Sequence, residues 1–307
     1  MRNFWAITTF FNPAGYKTLL NNYYIFAENL AKQGVNLLTV EVAFDGKEHE
    51  IPLDENVVRV RSNSIMFLKE NLINVGVKHL PSDCKYFGWV DCDLIWQDDN
   101  WVGQAINKFE SGADILQLYK KIYYLPPKTY KLDGSKILAV QGVIWQAKIH
   151  HNWLQRRKRK DLPFSAPGFA FAMTKSFFNK LNKIYDSNIV GSGDTFFVDC
   201  LLDSESIHAY WNSITDAMRS DMSEYKKKLK QLNPKVDYIP QDIMHLFHGS
   251  LSNRGYRSRH NIVVENDFDP KLDIKLNEDG VYEWSSNKPQ MHDSIKQYFF
   301  DRKEDEV

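Results

Sequence analysis

The stretch Gly88-Trp89-Val90-Asp91-Cys92-Asp93-Leu94-Ile95 is the part of this sequence that decides its fold. The apolar segment Tyr86 to Val90 is typical of a buried strand, and it ends directly in two carboxylates spaced i, i+2. Ligands of an open α/β sheet bind beyond the carboxyl ends of its strands. Asp91 and Asp93 are therefore either ligands of a divalent cation such as Mg²⁺ or Mn²⁺, or two solvated aspartates at a strand end.

Predicted strands and helices alternate on both sides of this stretch. Phe4 to Phe11 and Val35 to Ala43 have the apolar pattern of strands, and Leu19 to Ala31 between them has helical spacing. Further strands are predicted at 57–60 and 115–119, and further helices at 65–79 and 101–109. This alternation predicts an α/β fold with a doubly wound, mostly parallel central sheet flanked by helices.

The composition argues against several classes of protein. Among 307 residues, 39 Lys and Arg balance 39 Asp and Glu, so no net positive charge favours nucleic acid or an anionic membrane. No segment approaches the ~20 consecutive apolar residues of a transmembrane helix. Cys84, Cys92 and Cys200 are too widely spaced for a disulfide framework or a structural zinc site, which indicates the reducing cytoplasm. We therefore expect a soluble globular enzyme or binding protein.

A second chemical signal is the segment His245-Leu246-Phe247-His248-Gly249. Two histidines spaced i, i+3 can lie on one face of a turn and give imidazole nitrogens to one metal ion. Alternatively, one histidine packs in the core and the other is exposed. The carboxylates at 91 and 93 favour the first interpretation, a mixed carboxylate and imidazole site.

A third signal is Gly191-Ser192-Gly193-Asp194, at the start of a predicted helix. Glycines let the backbone approach a ligand closely, and a carboxylate beside them can deprotonate an acceptor hydroxyl. Asp194 can equally be a helix cap. Two weaker signals leave similar alternatives open. The basic run Arg156 to Lys160 contacts phosphates or is solvated. Each of Trp145, Trp89 and Trp96 stacks on a sugar or packs in the core.

In this order, the segments resemble nucleotide-sugar glycosyltransferases of the GT-A fold. Phe67 to Gly76, followed by Val90 to Ile95, is similar to the β-1,4-galactosyltransferase pattern, and Gly168 to Ala172 with Gly191 to Asp194 is similar to its acceptor-binding block. His245 to Arg259 also resembles a block of uncharacterised, family 2-like glycosyltransferases of bacteria and of viruses or phages. The resemblance spans roughly residues 4 to 284.

The resemblance implies a single GT-A (Rossmann-like) domain over residues 1–265. Its first half, 1–120, would bind the nucleotide sugar, and its second half, 121–265, would bind the acceptor. Residues 266–307 would form a C-terminal extension that packs on this domain and ends in an acidic, frayed tail.

The resemblance also implies residue roles. Asp93 and His248 stand at metal-ligand positions of the galactosyltransferases, and His245 stands where that family has a methionine. Asp91 would approach the metal or the ribose. Asp194 is the only carboxylate where the family has Gly-Gly-Glu-Asp, so it is the expected base or an acceptor ligand. The implied donor contacts are Thr9, Phe10, Asn12, Glu41, Lys69, Asn74, Asp91, Arg254 and Arg257, and the implied acceptor contacts are Trp145, Gly168, Phe169 and Gly193.

The implied function is a transfer that depends on Mn²⁺ or Mg²⁺. A sugar would move from a nucleoside diphosphate sugar, with UDP favoured, to a hydroxyl of a glycan or other acceptor, with inversion. The setting would be the cytoplasm, or the host cytoplasm if a virus encodes the chain. Two alternatives remain: a nucleotide-sugar or glycan-binding protein without turnover, and a nucleotidyltransferase. The second normally has a glycine-rich loop and a lysine after its first strand, which Thr9 to Gly15 does not supply.

Overall fold

The computed structural model describes residues 3–44, 46–133, 137–205, 211, 213–256 and 258–306. Its strands are β1 (Phe4–Phe11), β2 (Asn36–Phe44), β3 (Val57–Ser62), β4 (Tyr86–Val90), β5 (Leu94–Trp96), β6 (Ile115–Gln117), β7 (Lys121–Tyr124), β8 (Leu138–Gly142), β9 (Ser165–Ala166), β10 (Ala170–Thr174), β11 (Val236–Tyr238), β12 (Asp242–His245), β13 (Ile274–Leu276) and β14 (Tyr282–Trp284). Its helices are α1 (Lys17–Lys32), α2 (Lys69–Lys78), α3 (Trp101–Glu110), α4 (Val143–Ile149), α5 (Trp153–Lys158), α6 (Lys175–Leu181), α7 (Gly193–Leu202), α8 (Asp216–Leu232), α9 (Asn261–Glu265) and α10 (Pro289–Asp301).

The central sheet has the strand order β11-β6-β10-β4-β1-β2-β3. β10 runs antiparallel to both of its neighbours, and the other neighbouring pairs are parallel. The expected α/β class, with a mixed but mostly parallel sheet flanked by helices, is confirmed. Because β1, β2 and β4 are parallel, their carboxyl ends meet at one edge of the sheet, where Asp91 and Asp93 follow β4.

Both faces of this sheet are buried, as a parallel sheet requires. Along β1 the side chains alternate: Phe4 and Phe10 belong to the core beneath α1 and α3, and Ile7 belongs to the core beneath α2. The ring of Phe4 meets Trp101 of α3 edge to face at 5.6 Å. On the other face, α2 lies so close to the sheet that only a glycine fits at position 76. The two helical layers therefore hold the carboxyl edge of the sheet in place.

A second sheet, of order β5-β12-β7-β8-β9, lies beyond that edge. β12 pairs antiparallel with β5 and parallel with β7. This pairing joins the chain just after Asp93 to the chain that ends at His245. None of the local sequence patterns predicted it, because it depends on contacts between distant segments.

Several elements differ from the sequence predictions. The helix expected from residue 65 begins at Lys69, because Ser64 accepts a hydrogen bond from the backbone N–H of Trp284 at 2.9 Å, and Phe67 donates to the carbonyl of Ile189. The basic run is partly helical, in α5, and is not a simple loop. These segments are held by tertiary contacts that outweigh local propensity.

The C-terminal extension also differs from expectation, because its acidic tail is ordered. α10 is followed by a segment in which the N–H of Lys303 donates to the Tyr16 hydroxyl at 2.9 Å. The carboxylate of Asp305 accepts hydrogen bonds from the first two N–H groups of α1, at Lys17 and Thr18. Acidic composition usually indicates a frayed end, but here the acids cap a helix and enter the core. In the described part of the chain, no helix combines the length and apolar character needed to cross a bilayer.

The close approach of α2 to the sheet makes a direct prediction. A Cβ at Gly76 would lie 2.9 Å from methyl carbons of both Ile7 and Val40. We expect Gly76→Ala to lower the free energy of unfolding by ~1–3 kcal/mol, since these core strands cannot move aside. The measurement is urea unfolding. The control is Gly103→Ala in α3, where the new methyl meets only the exposed side chain of Asn100; equal stability of the two variants would contradict the prediction.

Candidate functional site

The pairing of β5 with β12 builds the centre of the site. Leu94 is opposite His245 in this pairing, and the backbone N–H of Leu246 donates to the carbonyl of Asp93 at 2.8 Å. The backbone ladder therefore holds Asp93 beside the end of β12. The chain then turns within three residues, which returns His248 to the same point.

Three side-chain atoms converge there. His248 Nε2 lies 2.9 Å from Asp93 Oδ2 and 3.1 Å from His245 Nε2, and His245 Nε2 lies 3.6 Å from Asp93 Oδ2. All three residues are buried, and their ligand atoms lie within 4.8 Å of one another. Asp93 Oδ1 is also buried and has no hydrogen-bond partner among the described residues. A carboxylate with an unused oxygen and two imidazoles in contact fit a divalent cation.

The protonation states suit this purpose. Burial lowers the pKa of His245 to about 3, so its imidazole is neutral at physiological pH. Burial by itself would raise the pKa of Asp93, but the two imidazoles and Arg254 hold it below its ordinary value. Burial and Arg254 lower the pKa of His248, and the carboxylates of Glu304 and Asp93 more than offset them, so it is raised. Metal binding requires an ionised carboxylate and neutral imidazoles, and it would displace any proton on His248.

Asp91 does not join this group. Its Oδ1 lies 2.6 Å from Lys69 Nζ, at the start of α2. Burial raises the pKa of Asp91 to about 6, Lys69 opposes the rise, and the charges of Asp93 and Asp194 add to it. The structure thus makes Asp91 an ion-pair partner of Lys69 within the electrostatic reach of both Asp93 and Asp194. Asp91 lies outside the group of three because its carboxylate is paired with Lys69, and its role as a metal ligand stays a prediction.

Asp194 lies in the first turn of α7, and Ser192 occupies the cap position instead. Its Oδ1 accepts a hydrogen bond from the N–H of Thr195 at 2.7 Å. Two glycines make room for carboxylates here. A side chain at Gly168 would collide with Asp194, and one at Gly193 would collide with the carboxylate of Glu70. The predicted residues Gly168, Gly193 and Asp194 are therefore brought together.

The structure adds two acidic residues that the sequence patterns did not indicate. Glu70 is buried in α2, and burial together with the charge of Asp194 raises its pKa to about 7, against the effect of Lys69. Its only sequence signal is a glutamate inside an apolar helical run. Glu304 is also buried, with Oε2 3.4 Å from His248 Nδ1. No local pattern distinguishes it from the other acids of the tail.

Some of the predicted donor contacts have polar atoms or side chains that are still available to a ligand, and others are used in contacts within the protein. Glu41 is buried, and its Oε1 accepts hydrogen bonds from the N–H groups of Glu50 and Ile51, while Oε2 has no partner in the described chain. Thr9 is half-buried at the end of β1. Phe10, in contrast, packs against Tyr23, and Asn12 is bonded to Tyr16 and Glu50 in the turn before α1.

Other predicted donor contacts are occupied within the protein. The side chain of Asn74 bonds to both backbone groups of Ile184 and to Asp186, so α2 uses this amide to fix that loop, and a donor contact of Asn74 stays a prediction. Arg254 is buried, and its Nη2 lies 2.8 Å from both ring nitrogens of His248. Arg257 lies outside the described residues.

The predicted acceptor aromatics also separate. Phe169 has φ +76° and places its ring edge to face with His245, with centroids 5.3 Å apart. Trp145 is half-buried on α4. Trp89 stacks on Phe171, and Trp96 stacks on a core tryptophan of α3, so these two rings pack rather than face a ligand.

No protein-family model and no curated protein matches this sequence. The solved structures that are similar to it include the following three. A mutant Drosophila β-1,4-galactosyltransferase 7 in complex with manganese, UDP-Gal and xylobiose is 13% identical, over 77% of this chain and 64% of that one, with a TM-score of 0.39. S. aureus TarS in complex with UDP-GlcNAc is 10% identical, over 81% of this chain and 59% of that one, with a TM-score of 0.40. The 4-diphosphocytidyl-2C-methyl-D-erythritol synthase of Anaerococcus prevotii is 13% identical, over 78% of this chain and 88% of that one, with a TM-score of 0.35.

The chain spans less than two thirds of the length of the first two of these proteins. Because identity and superposition are both low, we infer nothing about the activity of this chain from them.

Burial of Glu70 predicts a pH-dependent stability. Its folded-state pKa of about 7 lies above the value of 4.5 for the free group, so the native state holds this proton more tightly, and stability is lost as the pH rises through about 7. We expect Glu70→Gln to remove that loss. Between pH 5 and pH 8, the free energy of unfolding of the variant should gain ~2 kcal/mol relative to wild type, measured by urea titration with a chelator present.

Three charged groups near Glu70 contribute to that titration, namely Lys69, Asp91 and Asp194. The control is Glu265→Gln, an exposed glutamate of α9. A difference between Glu70→Gln and wild type that is independent of pH would show that Glu70 is ionised in the native state.

Proposed function

We propose that this chain is a GT-A glycosyltransferase that depends on a divalent metal and moves a sugar from a nucleoside diphosphate sugar, with UDP favoured, to a hydroxyl acceptor. The observation that carries the proposal is the convergence of Asp93, His245 and His248 at the carboxyl edge of the central sheet. Ligands of open α/β sheets bind at this edge. Glu41, with its unpaired oxygen, lies in the carboxyl-terminal half of β2, and the charge of Asp194 acts on Asp91 just after β4.

Asp93, His245 and His248 would hold the metal. Mn²⁺ fits this set better than Mg²⁺, since Mg²⁺ prefers oxygen ligands and Mn²⁺ accepts imidazole as well. When bound, the ion would neutralise charge on the departing diphosphate. Lys69 and Arg254 supply positive charge beside it, and guanidinium groups suit phosphate oxygens.

The donor's nucleoside would lie over the ends of β1 and β2. Glu41 is buried at the second of these ends, with one oxygen fixed by backbone N–H groups and the other unpaired. A buried carboxylate oxygen without a partner is costly. A ribose hydroxyl that donates to it would satisfy it, and this contact would orient the donor.

Asp194 would act on the acceptor. Gly168 leaves room for its carboxylate, and Phe169, the next residue, would offer a ring for a sugar face. As the acceptor oxygen bonds to the anomeric carbon, the bond from that carbon to the diphosphate oxygen breaks, and Asp194 takes the hydroxyl proton. A single displacement of this kind inverts the anomeric configuration. Residues 1–120 would then supply most donor contacts, and residues 121–265 the acceptor contacts and two of the metal ligands.

Metal binding is the first test. We expect the metal-free wild-type protein to bind Mn²⁺ in calorimetry, and Asp93→Asn to abolish measurable binding, because the ionised ligand is lost. The control is Asp99→Asn, an exposed aspartate after β5. Titrations with Mg²⁺, Zn²⁺ and Fe²⁺ test the preference for Mn²⁺. Identical Mn²⁺ affinity of Asp93→Asn and wild type would exclude the proposed site.

Catalysis is the second test. With Mn²⁺ and a panel of nucleotide sugars, release of nucleoside diphosphate identifies the donor, and Asp194→Asn should lower kcat by ~10²–10⁴-fold while leaving Mn²⁺ affinity unchanged. Asp216→Asn is the matched control, since Asp216 also lies in the first turn of a helix but is exposed. NMR of the product should show inversion.

Three results would contradict this assignment. Near-wild-type turnover by Asp194→Asn would remove Asp194 from the reaction. Donor binding without any release would indicate a binding protein, and release of pyrophosphate from a nucleoside triphosphate would indicate a nucleotidyltransferase.

A further inference from the structure

The last residues of the chain run across the back of the metal-ligand cluster. The bonds of Lys303 and Asp305 to Tyr16 and the start of α1 fix the residues on either side of Glu304. Gly249 lies where the tail crosses the turn after β12. It has φ +85°, and a Cβ there would be 2.9 Å from Glu304 Cα. The turn is therefore shaped to accept this segment.

This path places a carboxylate in the interior. Glu304 is 1% exposed, and neither of its oxygens has a hydrogen-bond partner of good geometry among the described residues. Arg302 Nη2 lies 2.5 Å from Oε1 and balances its charge. The other oxygen, Oε2, faces His248 Nδ1 at 3.4 Å. Keeping an ionised group here is costly, so its orientation toward one histidine nitrogen calls for a physical explanation.

The two nitrogens of His248 face different partners. Nε2 faces Asp93 and His245, at 2.9 and 3.1 Å, and Nδ1 faces Glu304. Arg254 does not distinguish the nitrogens, because its Nη2 lies at the same 2.8 Å from each and therefore over the face of the ring. Glu304 thus contacts Nδ1 and not Nε2, on the side of the ring opposite to Asp93 and His245.

We propose that Glu304 is a positioning residue for the metal site: its carboxylate accepts a hydrogen bond from Nδ1–H of His248, so that the lone pair of Nε2 points to the ion held with Asp93 and His245. A carboxylate that fixes the tautomer and orientation of a ligating histidine also raises its basicity. This inference rests on the proposed metal site and deepens it. It makes the C-terminal tail a part of the site.

The test compares Mn²⁺ binding by metal-free, full-length Glu304→Gln, Glu306→Gln and wild type in calorimetry. We expect Glu304→Gln to bind ~10–100-fold more weakly than wild type. Glu306→Gln, an exposed glutamate two residues further on, should bind as wild type does. Binding by Glu304→Gln within a factor of about two of wild type would overturn the positioning role while leaving the proposed metal site intact. If wild type itself binds no divalent ion, the proposed metal site and the positioning role of Glu304 are both excluded.

A second variant covers a loss of folding, because Glu304→Gln leaves Arg302, whose side chain is 12% exposed, without its counter-charge. The double variant Arg302→Gln with Glu304→Gln removes both charges and should show the same weakened binding. ¹⁵N NMR of the imidazole in the metal-free proteins adds a readout that a purely structural role would not change. Wild type should carry the proton of neutral His248 on Nδ1, and the double variant should lose this preference. An unchanged tautomer and unchanged affinity in the double variant would overturn the inference.

Discussion

The antiparallel pairing of β5 with β12 is the interaction on which the rest of the site depends. It sets His245 opposite Leu94 and ties the carbonyl of Asp93 to the N–H of Leu246. Side chains alternate along a strand, so a shift of one residue in this register would turn His245 to the other face and separate it from Asp93. Two residues distant in the chain thus become neighbours through backbone hydrogen bonds, and the turn after β12 adds His248.

Several charged side chains are buried around this pairing, although the burial of charge is unfavourable by itself. Asp91 with Lys69, and Glu304 with Arg302, are balanced locally, which limits the cost of burial. Asp93 Oδ1 and Glu41 Oε2 have no such partner in the described chain. Unsatisfied buried groups are rare in folded proteins. Their position at the ligand-binding edge of the sheet favours a site completed by a cation and by a polar substrate.

Glycines determine how closely these charged groups approach. Gly168 and Gly193 give space to the carboxylates of Asp194 and Glu70, and Gly249 lets the C-terminal tail cross the turn beside His248. A methyl group at Gly168 or Gly193 would occupy the volume of a carboxylate, and one at Gly249 would collide with the backbone of the tail. The absence of side chains at these glycines is therefore as important for the geometry of the site as the charged side chains. The residues involved come from distant parts of the chain, including the tail that caps the start of α1.

The sequence by itself determined the α/β class and most strand and helix positions, and it singled out Asp93, His245 and His248, which the structure brings together. Hydrophobic periodicity is a local property, and aspartate and histidine at short spacings are recognisable by type. Only the tertiary structure decided that β10 runs antiparallel, that Asp91 pairs with Lys69, that Asn74 bonds to Ile184, and that Glu70 and Glu304 enter the site. Strand register, helix docking and the path of the tail decide these contacts. All three arise from packing between segments far apart in the chain, which no local pattern encodes.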